Sequence, residues 1–236
     1  MSAADNATDD GNDTDDSQVP AWARRTAGES RWAATAAMVG ILVVQFYLPN
    51  QFVAGPRWLV PGIGLTLMLI LMVASPFRLD REEFWLRRFS LALMAVLGFA
   101  LVWSVYHLVL GLVNGKVSDN PAGLLSSGGG IWLSNVLVFA LWYWDLDRGG
   151  PAARAHARKP YPDFLWVQMQ NPELADPDWE PQFPDYLYLS FTNATAFSPT
   201  DVMPMSRWAK TLMMIQSAIS LITVSLVIAR AVSVLK

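Results

Sequence analysis

The sequence predicts an all-α fold: a polytopic membrane protein with five transmembrane helices and a re-entrant, pore-helix-like hairpin before the last span. Of its 236 residues, 53% are hydrophobic and only 16% are charged. The charges are clustered and leave long uncharged stretches, and such stretches of about 17 residues or more are typical of membrane spans. One apolar segment of about ten residues near the C-terminus is too short to cross a bilayer and predicts the hairpin.

Five stretches have the composition of a membrane span. They lie at residues 32–48, 58–74, 89–113, 131–144 and 208–232, and an earlier start of the fourth stretch at Leu124 is the alternative. Amphipathic rings prefer the headgroup zone of a bilayer, so tryptophans near the ends of these stretches support the boundaries. The tryptophans concerned are Trp32, Trp58, Trp85, Trp132, Trp142, Trp144 and Trp208. The predicted location is therefore the cell membrane, and the lipid bilayer is the predicted main partner.

The spans divide the chain into four predicted regions. Residues 1–28 form an acidic tail, residues 29–150 a four-helix transmembrane region, residues 151–183 a proline-rich interfacial loop, and residues 184–236 the hairpin with the last span. Six aspartates lie within the first 16 residues, so the tail is predicted to be disordered and either solvated or used to bind a partner. Residues 163–169 are predicted to form a short amphipathic helix at the interface.

Lysine and arginine are unevenly distributed between the two sides of the predicted membrane. Of the 17 basic residues, thirteen lie in the N-terminal flank and in the second and fourth loops, and the other four are Arg57, Lys116, Arg230 and Lys236. Because basic loops tend to stay in the cytoplasm, the N-terminus is predicted to be cytoplasmic and the C-terminus external. With this orientation the hairpin enters the membrane from the cytoplasmic side.

The composition argues against several classes of function. The chain has no cysteine and two histidines, so a thiolate site is impossible and a histidine metal site would need several added carboxylates. The sequence contains no Ser-His-Asp constellation and no basic stripe for nucleic acid. We therefore expect no enzyme, no bound metal or cofactor and no nucleic-acid partner. Asp145 and Asp147, which follow the fourth span, are interpreted as a solvated turn.

Pro184 and Asp185 open the segment that predicts the hairpin. Asp185 suits a helix N-cap because its carboxylate lies near the positive end of the helix. A helix of about ten residues then enters the membrane, and the chain turns back to the same side. Irregular backbone at membrane depth must be covered by protein or water, so the turn is predicted to pack against this chain or against other copies of it.

Residues 190–210 align without a gap with the pore segment of two-helix potassium channels. Thr195 falls on the threonine that opens the family's T-V-G-Y-G filter. The D-x-x-P-x-T-x-W-x-R run after the filter is matched by Asp201, Pro204, Ser206, Trp208 and Lys210. Over residues 184–232 the chain thus resembles the pore helix, loop and inner helix of the channel. The resemblance implies self-association as a tetramer around a pathway for a monovalent cation.

The selectivity filter itself does not match, because both of its glycines are missing. Ser198 and Thr200 occupy the glycine positions, and Pro199 occupies the tyrosine position. Glycine permits the backbone angles that aim carbonyl groups at one axis, whereas proline fixes φ, so a potassium-selective filter is not expected. The candidates for a less selective constriction are Thr195, Ser198, Pro199, Thr200 and Asp201. Asp201 alternatively caps the last helix or pairs with one of its basic residues.

Polar side chains inside the spans each allow two interpretations. Gln216, Ser220 and Thr223 share one face of the last span, and such a face either lines a conduit or bonds neighbouring helices. His107 lies in the third span, where an ionisable residue is a functional candidate by default. The alternative is a neutral histidine ring bonded to a backbone carbonyl.

A second resemblance covers most of the chain loosely. Tyr143 at a span end, the Gly149-Gly150 turn, the run D-Y-L-Y-L-S-F at residues 185–191 and the Thr200-Asp201 pair resemble features of uncharacterised prokaryotic membrane proteins of the DUF1345 type. That family carries no established activity. Two hypotheses follow for the function. The chain is an oligomeric, channel-like pore that passes cations without potassium selectivity, or a non-conducting structural or scaffold protein that retains a pore-like fold.

Overall fold

A computed structural model describes residues 19–74, 84–115, 120–196 and 201–234. These residues form eight α-helices and two short strands. The helices are α1 Trp32–Tyr47, α2 Leu59–Ala74, α3 Phe84–Val113, α4 Pro121–Leu146, α5 Pro151–Ala155, α6 Val167–Gln170, α7 Phe183–Ala196 and α8 Arg207–Val234. The strands are β1 Phe164–Trp166 and β2 Val202–Pro204.

Three of the described helices are long and apolar enough to cross a membrane. Their spanning parts are Trp85–Val113, Ala122–Gly149 and Arg207–Ser233, of 29, 28 and 27 residues. The helices α1 and α2 are also apolar but have 16 residues each. Length and composition thus confirm a helical protein suited to a membrane, with three helices of full spanning length.

The helix α4 is longer than the sequence predicted. It begins at Pro121, before residue 131 and three residues before the alternative start at Leu124, because Asn120 caps it and accepts a hydrogen bond from the Ala122 amide at 3.1 Å. Proline at the first helical position suits this start, since its missing N–H has no partner there in any helix. The glycine-rich turn of α4 then permits close packing. A Cβ on Gly128 would lie 2.6 Å from a methyl group of Val227 on α8.

The helices alternate in direction, so that their ends meet in two groups. Arg31, just before α1, donates to the carbonyl of Leu71 near the end of α2 at 2.5 Å. Arg87 of α3 binds Asp145 near the end of α4 at 2.8 Å. The start of α7 lies at the same end, because the Phe183 amide donates to Glu29. We call this end, at which α1, α3, α7 and α8 begin and α2 and α4 end, the basic end.

A small folded unit, here called the cap, covers the basic end and consists of residues 19–30, 147–182 and 201–206. Its strands β1 and β2 pair antiparallel, with Phe164 opposite Pro204 and Trp166 opposite Val202. The all-α prediction missed this sheet. The amphipathic helix predicted at residues 163–169 is wrong, because Phe164 and Trp166 are both buried with the strand period of two before the single turn of α6.

Part of the predicted disordered tail belongs to the cap. Within residues 19–28, Ala21 is buried, the Thr26 amide donates to the carbonyl of Ala155 at 3.0 Å, and Arg24 pairs with Asp178 at 2.6 Å. The tail prediction therefore fails for this stretch, because its apolar and arginine side chains find partners far along the chain. The rest of the predicted tail, residues 1–18, lies outside the described residues.

The helix α7 extends from the basic end into the middle of the bundle. It has 14 residues, which corresponds to about 20 Å at about 1.5 Å per residue. Along its length Ser190 donates to the carbonyl of Val136 on α4, and the ring of Phe191 lies 6.0 Å from that of Trp132. By Val202 the chain is paired with β1 at the basic end again. The chain therefore leaves this end and returns to it between Phe183 and Val202.

Candidate functional site

The polar face predicted on the last span lies inside the chain. Gln216 of α8 is fully buried between α4 and α7. Its side-chain oxygen accepts hydrogen bonds from Tyr143 at 2.6 Å and from Asn193 at 2.8 Å. Its amide nitrogen donates to the Ser190 hydroxyl at 2.6 Å and to the Ser190 carbonyl at 3.0 Å. All the hydrogen-bonding groups of the Gln216 side chain are therefore used within the chain.

Serines of α8 bind the end of α7. The Ser220 hydroxyl donates to the carbonyl of Ala194 at 2.6 Å, and the Ser217 hydroxyl donates to that of Asn193 at 3.2 Å. The last four carbonyls of a helix have no partner within the helix, so these hydroxyls replace water at the α7 terminus. Trp132 of α4 in turn donates to Ser220 at 2.9 Å.

Thr223 completes the predicted face and is also buried. Its hydroxyl has no hydrogen-bond partner among the described residues. Gln216 and Ser220 form hydrogen bonds from α8 to the neighbouring helices. These contacts correspond to the interpretation in which the polar face bonds neighbouring helices. In the described part of the chain, this face of α8 packs against α4 and α7.

The candidate pore-loop residues are only partly placed. Thr195 is exposed near the end of α7, and its hydroxyl donates to the carbonyl of Phe191 at 2.8 Å. Asp201 is half-buried, and its Oδ1 has no hydrogen-bond partner among the described residues. Ser206 rather than Asp201 occupies the cap of α8, where its hydroxyl accepts from the Ala209 amide at 3.4 Å. The remaining candidates, Ser198, Pro199 and Thr200, lie outside the described residues.

His107 lies among aromatic side chains of its own helix. Its Nδ1 is 3.1 Å from the carbonyl oxygen of Trp103, one turn earlier on α3. The two rings stack with centroids 4.4 Å apart, and Tyr106 adds an edge contact at 5.2 Å. Of the two interpretations given for His107, this contact corresponds to the ring bonded to a backbone carbonyl. Among the described residues, no group of three or more histidines and carboxylates is placed to hold a metal ion.

A layer of buried charges at the basic end escaped the sequence analysis. Asp145, Asp147 and Arg148 have relative exposures of 2%, 0% and 1%, so the expected solvated turn is wrong. Asp147 accepts hydrogen bonds from the Asp163 amide at 3.0 Å and from the Tyr186 hydroxyl at 2.5 Å. The cap covers this turn, and its donors take the place of water. The one available signal was the presence of two aspartates directly at the end of an apolar span.

Arg148 is held in an unusual backbone conformation. Its φ of 51° is in the left-handed region, and Gly149 and Gly150 follow with φ of 88° and 102°. This turn directs the Arg148 side chain into the cap, where its Nε donates to the carbonyl of Lys159 at 2.8 Å and its Nη1 donates to the carbonyl of Trp22. A Cβ on Gly150 would lie 2.7 Å from Arg87, so this glycine also permits a close approach.

Glu29 links four parts of the molecule. Its carboxylate accepts hydrogen bonds from the Phe183 amide of α7 at 2.5 Å and from the Trp144 indole of α4 at 2.6 Å. Arg154 of α5 lies 3.8 Å from it and also donates to the carbonyl of Trp144 at 2.6 Å. Burial raises the pKa of Glu29 above its ordinary value, although these hydrogen bonds and Arg154 oppose the rise.

The buried carboxylates connect separate parts of the structure. The side chains of Glu29, Asp145 and Asp147 each accept at least two hydrogen bonds or ion-pair contacts from the protein. The arrangement therefore fixes the cap to the ends of α4 and α7.

Comparison with protein-family models, curated proteins and solved structures finds no match to this chain. The two resemblances noted in the sequence remain predictions. The function is accordingly inferred from the contacts of the chain itself.

Proposed function

We propose that this chain is a non-conducting scaffold of the cell membrane, which crosses the bilayer five times and holds a folded cap against its cytoplasmic face. The observation that carries the proposal is the set of bonds made by Gln216. In a conducting assembly this side chain would face a water-filled pathway, whereas here it binds Tyr143, Asn193 and Ser190 of the same chain.

Five crossings are supported by the directions of α1 and α2. The hydrogen bond from Arg31 to the Leu71 carbonyl places the start of α1 beside the end of α2. Each helix therefore runs between the basic end and the opposite end. Their exposed side chains are apolar and suit contact with lipid; they include Val39, Val43, Phe46, Leu65 and Leu69. A helix of 16 residues is about 24 Å long and falls short of the roughly 30 Å apolar thickness. Local thinning of the bilayer and flanking Trp32 and Trp58 compensate for this mismatch.

A re-entrant position for α7 is supported by its neighbours. It lies beside α4 and α8, which are both of spanning length, and the Ser220 hydroxyl binds its terminal carbonyl. A helix that ends at membrane depth requires such partners, because lipid offers no hydrogen bonds. The cytoplasmic orientation is supported by arginines gathered at the basic end, among them Arg87, Arg148 and Arg154.

A cation-conducting oligomer is the second candidate function. One side of α7 is exposed in the single chain, and Tyr188, Phe191 and Thr195 lie on it. Four copies arranged with this side inward would surround a path bounded by Thr195 and Asp201. Repetition of Asp201 by symmetry would form an acidic ring that favours cations.

Reconstitution distinguishes the two functions. We expect liposomes that contain the purified chain to pass monovalent cations no faster than empty liposomes, and we expect a monomer by native mass spectrometry in mild detergent. Cation flux that Asp201→Asn reduces and the exposed cap substitution Asp178→Asn leaves unchanged would establish the pore instead. A tetramer that shows this cation flux would also establish the pore. A monomer that passes no cations supports the scaffold.

A further inference from the structure

A groove on the cap is lined by two tryptophans. Its volume is about 160 Å³, and Trp22 and Trp179 contribute its aromatic rings. Apolar walls come from Pro20, Pro172 and Pro177. Among the described residues that line the groove, Asp176 is the charged one, and it is exposed. The groove is separate from the Gln216 network and from the buried carboxylates.

Both rings of the groove are held by contacts with the cap. The guanidinium carbon of Arg148 lies 5.7 Å from the centre of the Trp22 ring, and Arg148 also donates to the Trp22 carbonyl. Trp179 makes an edge contact with Trp166 at 6.4 Å, and Trp166 in turn contacts Tyr186 at 5.3 Å. A ligand that binds between rings already held in place loses little affinity to the ordering of side chains.

The charge of this region differs from that of the rest of the basic end. Asp176 lines the groove, and Glu173, Asp178 and Glu180 are close to it in sequence. Of these, Asp178 is paired with Arg24 at 2.6 Å. The negative potential of this run favours a cationic ligand and disfavours anions such as phosphate.

We propose that this groove binds an organic cation of the quaternary ammonium class. Aromatic rings attract such cations through their electron-rich faces, and the methyl groups of the cation fit apolar walls. The Asp176 carboxylate supplies the opposite charge at the edge of the groove. The available volume admits a trimethylammonium group with a short tail. Both a free solute and the choline headgroup of a lipid carry this group, and the site does not depend on whether the bundle conducts ions.

Binding is tested on the full chain in nanodiscs of phosphatidylglycerol. Choline is added, and its neutral isostere, in which carbon replaces the nitrogen, serves as the matched ligand. We expect saturation-transfer NMR to detect the choline methyl groups and calorimetry to give an affinity at least about tenfold higher for choline than for the isostere. Equal affinity for the two ligands, or no binding of either, overturns the proposal.

Substitutions then locate the site. We expect Asp176→Asn to weaken choline binding by about threefold or more and Trp179→Leu to weaken it by about tenfold or more. The matched controls are Glu173→Gln, an acidic neighbour that does not line the groove, and Trp58→Leu at the opposite end of the bundle. Asp176 is exposed, so its substitution tests the site even if Trp179→Leu fails to fold. Unchanged affinity in Asp176→Asn, or an equal loss in Glu173→Gln, would also overturn the proposal.

The same measurement in nanodiscs of phosphatidylcholine identifies the source of the ligand. If the lipid headgroup occupies the groove, choline binds more weakly there than in phosphatidylglycerol, and Asp176→Asn removes the difference. If the two lipids give the same choline affinity, the natural ligand is a free solute. Both results retain the quaternary ammonium site.

Discussion

Asp147 and Arg148 are adjacent in the chain and buried together, yet each binds its own set of partners. Asp147 accepts from Asp163 and Tyr186, whereas Arg148 donates to Lys159 and Trp22. A buried charged group is costly unless hydrogen bonds satisfy it, so both side chains depend on these partners. The two residues therefore help to specify where the cap is placed.

Tyr186→Phe should destabilise the protein by about 2 kcal/mol, because it removes a hydrogen bond to a buried carboxylate. Tyr188→Phe on the exposed side of the same helix is the matched control and should change little. Urea unfolding in mixed micelles, followed by circular dichroism, gives both free energies of unfolding. Equal values for the two variants would show that the Tyr186 hydroxyl contributes nothing.

Glu29 should make stability depend on pH. Its pKa is raised in the folded state above the ordinary value of 4.5, so the folded protein binds this proton more tightly than the unfolded chain. The resulting stabilisation is fully present below about pH 4.5 and is lost as the pH rises through the folded pKa. Glu29→Gln removes this contribution, and the free energy of unfolding should then fall less steeply as the pH rises above about 4.5.

The exposed Glu173→Gln provides the control for that titration. Its curve should follow the wild type, since no buried carboxyl is altered. A Glu29→Gln curve parallel to the wild type would contradict the assignment of the pH dependence to this residue.

At the scale of elements, the stability of α7 depends on serines that come from α8. Ser220→Ala should cost about 1–2 kcal/mol, because it leaves the Ala194 carbonyl and the Trp132 indole without their partner. Ser225→Ala, on the exposed side of α8, should have little effect. The test compares free energies of unfolding and hydrogen exchange at residues 190–196. Unaltered exchange in Ser220→Ala would mean that α7 does not need this bond.

Gly128 and Gly129 of α4 are neighbours in sequence but differ in how closely other side chains approach them. Gly128→Ala should destabilise the bundle by about 1–3 kcal/mol, because the added methyl group would lie 2.6 Å from Val227. A Cβ on Gly129 meets nothing within 4 Å, so Gly129→Ala should be neutral or stabilising by up to about 1 kcal/mol. Thermal unfolding of both variants in the same detergent tests the contrast, and two similar melting temperatures would contradict it.

The helices were predictable from sequence, because long uncharged stretches report burial or lipid contact without reference to the rest of the chain. The same reasoning placed Gln216 and Ser220 on one face of α8. The residues that pair with each other across long sequence distances were not predictable. The pairing of β1 with β2 joins residues about 40 positions apart, and strand preference depends strongly on such context. Asp147 appeared solvated for the same reason, since its donors Asp163 and Tyr186 come from distant segments.

At the scale of the whole molecule, the gathering of arginines at one end predicts its orientation. The chain has no cysteine, so single cysteines can be introduced without background labelling. Leu174 on the cap and Trp58 at the opposite end are 84% and 68% exposed. In intact cells an impermeant maleimide should label Trp58→Cys, and it should label Leu174→Cys only after permeabilisation. The reverse pattern would place the cap outside the cell.

The pairing of β2 with β1 has a mechanical consequence. The helix α7 is connected to the cap at both of its ends, by Phe183 and Tyr186 in its first turn and by the strand β2 that follows it in the chain. A displacement of the cap should therefore move α7 and be transmitted to the hydrogen bond between Ser220 and the Ala194 carbonyl.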